Sequence, residues 1–115
     1  MNKPRLFIRD WDPWSPRKTL RNYFDVDVFE DMIYGKIEEY DGFLLHHFSY
    51  VDDMEPLRNI FGVKPIVIET TCIGEKKVYI ETLVEDGIDF EDINIGIGME
   101  DSCSMIYDLF GIIPT

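Results

Sequence analysis

Hydrophobic positions along the chain fall into short runs separated by turn residues and charge. Leu6-Phe7-Ile8, flanked by charged residues, reads as a short strand. Asp12-Pro13-Trp14-Ser15-Pro16 breaks the chain, and Ser15 followed by Pro16 suits the cap and first position of a helix. That helix runs to about Phe24, with Leu20, Tyr23 and Phe24 at i, i+3 and i+4. Phe29, Met32, Ile33 and Ile37 also have helical spacing, but Gly35 interrupts them, so the pattern predicts a helical turn over 27–34 and a strand over 36–40. Asp41-Gly42 then sits between two β-prone segments, which is a hairpin signal.

The run Phe43–Val51 predicts a strand, with Leu44, His46, Phe48 and Tyr50 on one face. Asp52-Asp53 offers a cap for a short helix over 54–61, closed by Gly62. Residues 65–73 are rich in β-branched side chains, and Val78, Ile80, Thr82 and Val84 alternate. With Gly74-Glu75-Lys76-Lys77 between them, these two runs predict a second hairpin. Ile93, Ile95 and Ile97 predict a short strand in which glycine permits a close backbone approach. Met105, Ile106, Leu109 and Phe110 form the apolar stripe of a last helix, capped by Asp101 or Ser102 and stopped by Gly111.

Hairpins outnumber crossover helices in this reading. It predicts an α+β fold: a mainly antiparallel sheet of about 4–6 short strands, with two to four short helices packed as a single layer on the sheet. No repeat, linker or low-complexity segment divides the sequence, so residues 1–115 are expected to form one compact domain.

Charge changes the picture most. Lys and Arg number 11 against 23 Asp and Glu, for a net charge of −12. Residues 1–21 carry six basic and two acidic side chains, so the remainder is more acidic than the total suggests. Such a chain repels phosphate and is a poor direct binder of nucleic acid. With 45% hydrophobic residues it has enough apolar surface to fold, and it has no run near the ~18–20 apolar residues that span a bilayer. The apolar run Leu6–Ile8 is too short for the core of a secretion signal, which points to the cytosol. Cys72 and Cys103 are expected to be reduced thiols.

Catalytic patterns are sparse. His46-His47 is the only histidine pair, and neighbours in a strand point to opposite faces, so they do not share a metal easily. Gly96-Ile97-Gly98 lacks the third glycine or the Lys-Ser/Thr of a phosphate loop and reads as close packing. The acids over 85–92 lack EF-hand spacing. No Ser sits in a nucleophile-elbow pattern. No cofactor and no metal is expected. Trp11 and Trp14 bracket Asp12-Pro13 among basic residues and are either core plugs or interface anchors.

Function therefore rests on the acids. They suit a small cytosolic binding or inhibitor protein that neutralises a basic partner, of the immunity-protein or antitoxin type directed at a nuclease or other nucleic-acid-processing enzyme. The contact residues expected are Glu85, Asp86, Asp89, Glu91 and Asp92 first, then Asp25, Asp27, Glu30 and Asp31. The alternatives are a small enzyme or ligand-binding domain with a histidine–carboxylate pocket around His46 or His47, and an acidic assembly subunit. Whether distant acid clusters converge on one surface decides the strength of the first reading.

Overall fold

Three stretches of the sequence are apolar at consecutive rather than alternate positions: 6–8, 43–45 and 66–68. A strand buried on both faces needs that pattern, and both faces are covered when the strands are parallel and joined by helices. In the computed structural model, which describes residues 2–9, 17–30 and 34–115, this is how the chain folds. Strands β1 (Arg5–Arg9), β2 (Asp25–Phe29), β3 (Gly42–His46), β4 (Ile66–Thr70) and β5 (Asn94–Ile97) form one five-stranded sheet in the order β2-β1-β3-β4-β5. Every pairing is parallel, with Leu6 beside Val26 and Gly42, Leu45 beside Ile68, and Ile68 beside Ile95. This is the flavodoxin-like order of doubly wound sheets.

The helices are α1 (Arg17–Leu20), α2 (Tyr50–Leu57), α3 (Ile73–Glu85) and α4 (Met99–Leu109), so three of them have eight residues or more. Short 3-10 segments occupy Tyr34–Glu39, Arg58–Ile60 and Phe90–Asp92. The expected single helical layer is corrected to two. Phe7, Phe43, Leu45, Ile66 and Ile68 face Met54 and Leu57 of α2, Leu83 of α3, and Ile37 and Tyr40. Leu6, Ile8, Leu44 and Val67 face Leu20 of α1 and Cys103, Ile106 and Tyr107 of α4. On the first face Phe7 stacks on Phe29 at 4.6 Å and meets Tyr40 edge-on at 5.3 Å.

The expected antiparallel sheet fails because neither hairpin signal is a turn. The Asp41 carboxylate accepts the Arg5 backbone N–H at 2.8 Å, tying the segment before β3 to the start of β1. Gly42 opens β3, where an added Cβ would lie 2.6 Å from the Phe110 ring. Gly74 falls in the first turn of α3. Residues 78–84 are therefore helical, and Tyr79, Ile80 and Leu83 reach the core at helical spacing. The predicted helical turn over 27–34 gives way to β2, and the predicted strand over 36–40 is 3-10 helix. The long strand over 43–51 ends at His46. His47 turns the chain with φ at 59°, and Ser49, not Asp52, caps the next helix by accepting from the Asp52 N–H. Expectations for Trp11, Trp14, Ser15, Pro16, Asp31, Met32 and Ile33 lie outside the described residues.

Candidate functional site

Because all five strands run the same way, their carboxyl ends share one rim. The connection leaving β1 leads to α1 on one face, and that leaving β3 leads to α2 on the other. In doubly wound sheets ligands bind where connections leave neighbouring strands toward opposite faces, which here is at the carboxyl ends of β1 and β3. A histidine–carboxylate pair and an arginine–carboxylate pair flank this position, one on each face.

On the α1/α4 face, His46 ends β3 and Glu69 lies beside it on β4 as its register partner. The imidazole Nδ1 is hydrogen-bonded to Glu69 Oε2. The His46 and Glu69 side chains are 15% and 7% exposed. With Nδ1–H donated to the carboxylate, the lone pair of a neutral ring lies on Nε2. His47 follows in the left-handed turn, and the two rings meet edge-on with centroids 4.0 Å apart. The expectation that successive histidines point apart is thus corrected: the strand has already ended.

On the α2/α3 face, Arg9 ends β1. Its Nη1 donates to Asp53 Oδ2 in α2, and its Nε donates to the Glu30 carbonyl at 3.0 Å. Asp53 Oδ2 also accepts the Ser49 N–H at 2.7 Å, so one carboxylate ties the end of β1 to the start of α2. Asp53 is fully buried, and its Oδ1 has no partner among the described residues. Burial pushes its carboxyl up from 3.8, while the Ser49 N–H and Arg9 pull the other way. Further along the rim, Thr70 donates to the Gly96 carbonyl at 3.3 Å. Gly96 lets α4 approach β5, as close packing required: an added Cβ would stand 2.5 Å from Ser102 Oγ.

The arrangement has an imidazole oriented by one carboxylate and a guanidinium held by another, at the carboxyl ends of β3 and β1. Buried polar pairs contribute little net stability compared with apolar replacements. Two of them at the ligand-binding position of a doubly wound sheet therefore point to use of the groups themselves. No group of three or more His, Cys, Asp or Glu side chains with metal-binding geometry occurs among the described residues.

The acids expected to contact a partner lie elsewhere. Asp25 and Asp27 belong to β2 at one edge of the sheet. Glu85 ends α3, and Asp86, Asp89, Glu91 and Asp92 lie between α3 and β5, at the other edge. Four strand spacings separate those edges, about 19 Å. Asp25 and the 86–92 segment are nonetheless at the same, amino-terminal end of the strands, and Glu38, Glu39 and Asp41 come between them ahead of β3. Part of this charge is already paired. Arg5 lies 3.9 Å from Asp25, 3.1 Å from Asp27 and 3.6 Å from Glu39, and Arg58 pairs with Asp86. Glu30 follows β2 at the opposite, carboxyl end, and Asp31 is not described.

Arg9 and Glu69 were not singled out by the sequence, and Asp53 only as a helix-cap candidate. The available signal was Glu69 itself, one charged residue inside the apolar run 66–68 and the β-branched residues after it. No helix among the described residues is long and apolar enough to cross a membrane. No protein-family model, curated protein or solved structure matches the chain.

Proposed function

We propose that this chain is a small ligand-binding or catalytic domain working from the carboxyl ends of β1 and β3. His46 is the proton acceptor through Nε2, Glu69 orients it, and Arg9, held by Asp53, supplies a fixed cation. The observation that carries this reading is that a histidine–carboxylate pair and an arginine–carboxylate pair flank one switch point. A polar molecule seated on the rim would meet a lone pair from one face of the sheet and a guanidinium from the other. The test is an amide chemical-shift titration with three probes of different chemistry: inorganic phosphate, acetate and methylammonium. Shifts concentrated at residues 9, 46–49 and 69–71, and lost in His46→Gln, support the site. Probes that move none of these amides, or move them equally in His46→Gln, contradict it.

A second reading is favoured by the acids along the amino-terminal rim. A cytosolic inhibitor or immunity-type protein would present this rim to the positive cleft of a basic nucleic-acid-processing enzyme, and complementary fields would speed their encounter. A cleft of about 260 Å³ between the segments preceding β4 and β5, lined in part by Lys64, Glu91 and Asp92, lies on that rim. Stoichiometric capture of one such enzyme at low salt, abolished by reversing Asp89, Glu91 and Asp92 to lysine, would favour this reading. Capture that survives the reversal would remove it.

A further inference from the structure

Helix α3 has an outer flank that touches the core only through the half-buried Ile80. Leu83 is fully buried, and the Tyr79 hydroxyl donates to the Phe48 carbonyl at 2.8 Å, so that flank of the helix faces the β3–α2 connection. About a quarter-turn away, Ile73, Lys77, Ile80 and Val84 recur at spacings of four, three and four. This is the seam spacing of two packed helices. Ile73 is 77% exposed and Val84 45%, which is unusual for branched apolar side chains grouped on one helix. Ile73, Lys76, Lys77, Ile80 and Glu81 line a shallow depression there.

The charges on the stripe complement one another under a two-fold axis. When two copies of α3 pack antiparallel about a point between residues 78 and 79, Ile73 comes level with Val84 of the second copy. Lys77 comes within one residue, about 1.5 Å of rise, of the level of Glu81 of the second copy, and the two lie on the same flank of the seam. The two-fold repeats each pairing, giving two apolar contacts at the ends and two Lys–Glu contacts near the middle. Lys76 and Lys77 are two of only five basic residues beyond position 21, so their place beside Glu81 on this stripe gives the patch the mixed charge that self-pairing needs in a strongly acidic chain.

We propose that α3 is the interface of an antiparallel two-fold homodimer, with a second copy of this chain as its occupant. A 13-residue helix is about 20 Å long, so the contact is at the small end of specific interfaces and the dimer is weak, with dissociation in the micromolar range. The stripe does not include Arg9, His46, Asp53 or Glu69, so the dimer does not draw on the side chains of the proposed site.

Sedimentation equilibrium across the micromolar range tests it. The wild-type chain is expected to pass from monomer to dimer with concentration. Lys77→Glu and Glu81→Lys, each placing like charges across the axis, are expected to weaken the dimer at least about tenfold. The double variant Lys77→Glu/Glu81→Lys restores opposite charges and is expected to recover wild-type association. Ile73→Ser weakens it without touching charge. All three positions are exposed, and far-ultraviolet circular dichroism checks that each variant is folded. A wild-type chain that stays monomeric, a dimer indifferent to the single reversals, or a double variant that fails to recover each overturns the proposal. A monomer that instead binds an unrelated acidic helix through this stripe also overturns it.

Discussion

His46 and Glu69 are register partners at the carboxyl ends of β3 and β4, and the imidazole Nδ1 is bonded to the carboxylate Oε2. Both side chains lie where the sheet gives way to connecting segments, one residue beyond Leu44–Leu45 and Val67–Ile68, and both are largely buried. Removing one member strands the other in a partly desolvated position. Glu69→Ala is therefore expected to lower the unfolding free energy by roughly 1–3 kcal/mol, and Glu69→Gln by less, because the amide oxygen can still accept from Nδ1–H. Urea denaturation of the two variants measures this. Equal losses would mean that the carboxylate contributes packing alone.

Asp53 predicts a pH signature of definite sign. Its carboxyl binds a proton more tightly in the folded chain, since burial raises it above 3.8. The stabilisation from that proton is complete below the unfolded value and is lost as pH rises through the folded one. The stability advantage of wild type over Asp53→Asn should thus be larger in acid and shrink as pH rises. A gap that widens with pH would contradict the assignment. Asp53→Ala, which leaves Arg9 without its carboxylate, is expected to cost roughly 3–5 kcal/mol near neutral pH.

Tyr40 sets an alkaline limit. Its hydroxyl donates to Asp27 at 2.8 Å from a position 1% exposed, and burial, with that hydrogen bond, pushes it from 10.0 up to about 12. The folded chain keeps the phenol proton longer than the unfolded one, so its contribution is intact below pH 10 and falls between 10 and 12. The slope is about 1.4 kcal/mol per pH unit there. Tyr40→Phe should lose this slope in alkaline unfolding curves, and an unchanged slope would remove Tyr40 from the account.

Two glycines with opposite surroundings make a matched pair. Gly96→Ala places a methyl 2.5 Å from Ser102 Oγ and 2.7 Å from the Ser102 backbone nitrogen. The helix backbone cannot yield cheaply, so the cost is expected to be roughly 1–3 kcal/mol. Gly74→Ala meets nothing within 4 Å inside the first turn of α3, and should stabilise by about 0.4–1 kcal/mol. Thermal unfolding of both variants checks the packing of α4 on β5 and the helical state of residue 74 together. A neutral Gly96→Ala would contradict the close approach.

The elements with one unambiguous pattern were legible from sequence: β1, β5 and α4 fall close to where 6–8, 93–97 and 102–110 predict them. Strand direction was not, because it depends on what covers each face. Consecutive apolar residues at 43–45 and 66–68 carried the parallel signal, and the local turn chemistry of Asp41-Gly42 and Gly74 masked it. Val78, Ile80, Thr82 and Val84 alternate, yet Tyr79 and Leu83 between them supply a helical stripe that wins once β4 and β5 need a crossover. The site was half visible. His46 stood out by type, but its partner Glu69 is 23 positions away and meets it only through parallel register. Arg9 and Asp53 likewise meet only because α2 folds back over the end of β1.

The central claim is that Glu69 fixes the His46 tautomer, with the lone pair on Nε2. A long-range proton–nitrogen correlation spectrum of the two histidines, recorded at a pH where the rings are neutral, reads this directly. Protonated Nδ1 and unprotonated Nε2 at His46, with that preference lost in Glu69→Gln, is the result the account predicts. A proton on Nε2 of His46 in the wild-type chain would contradict it.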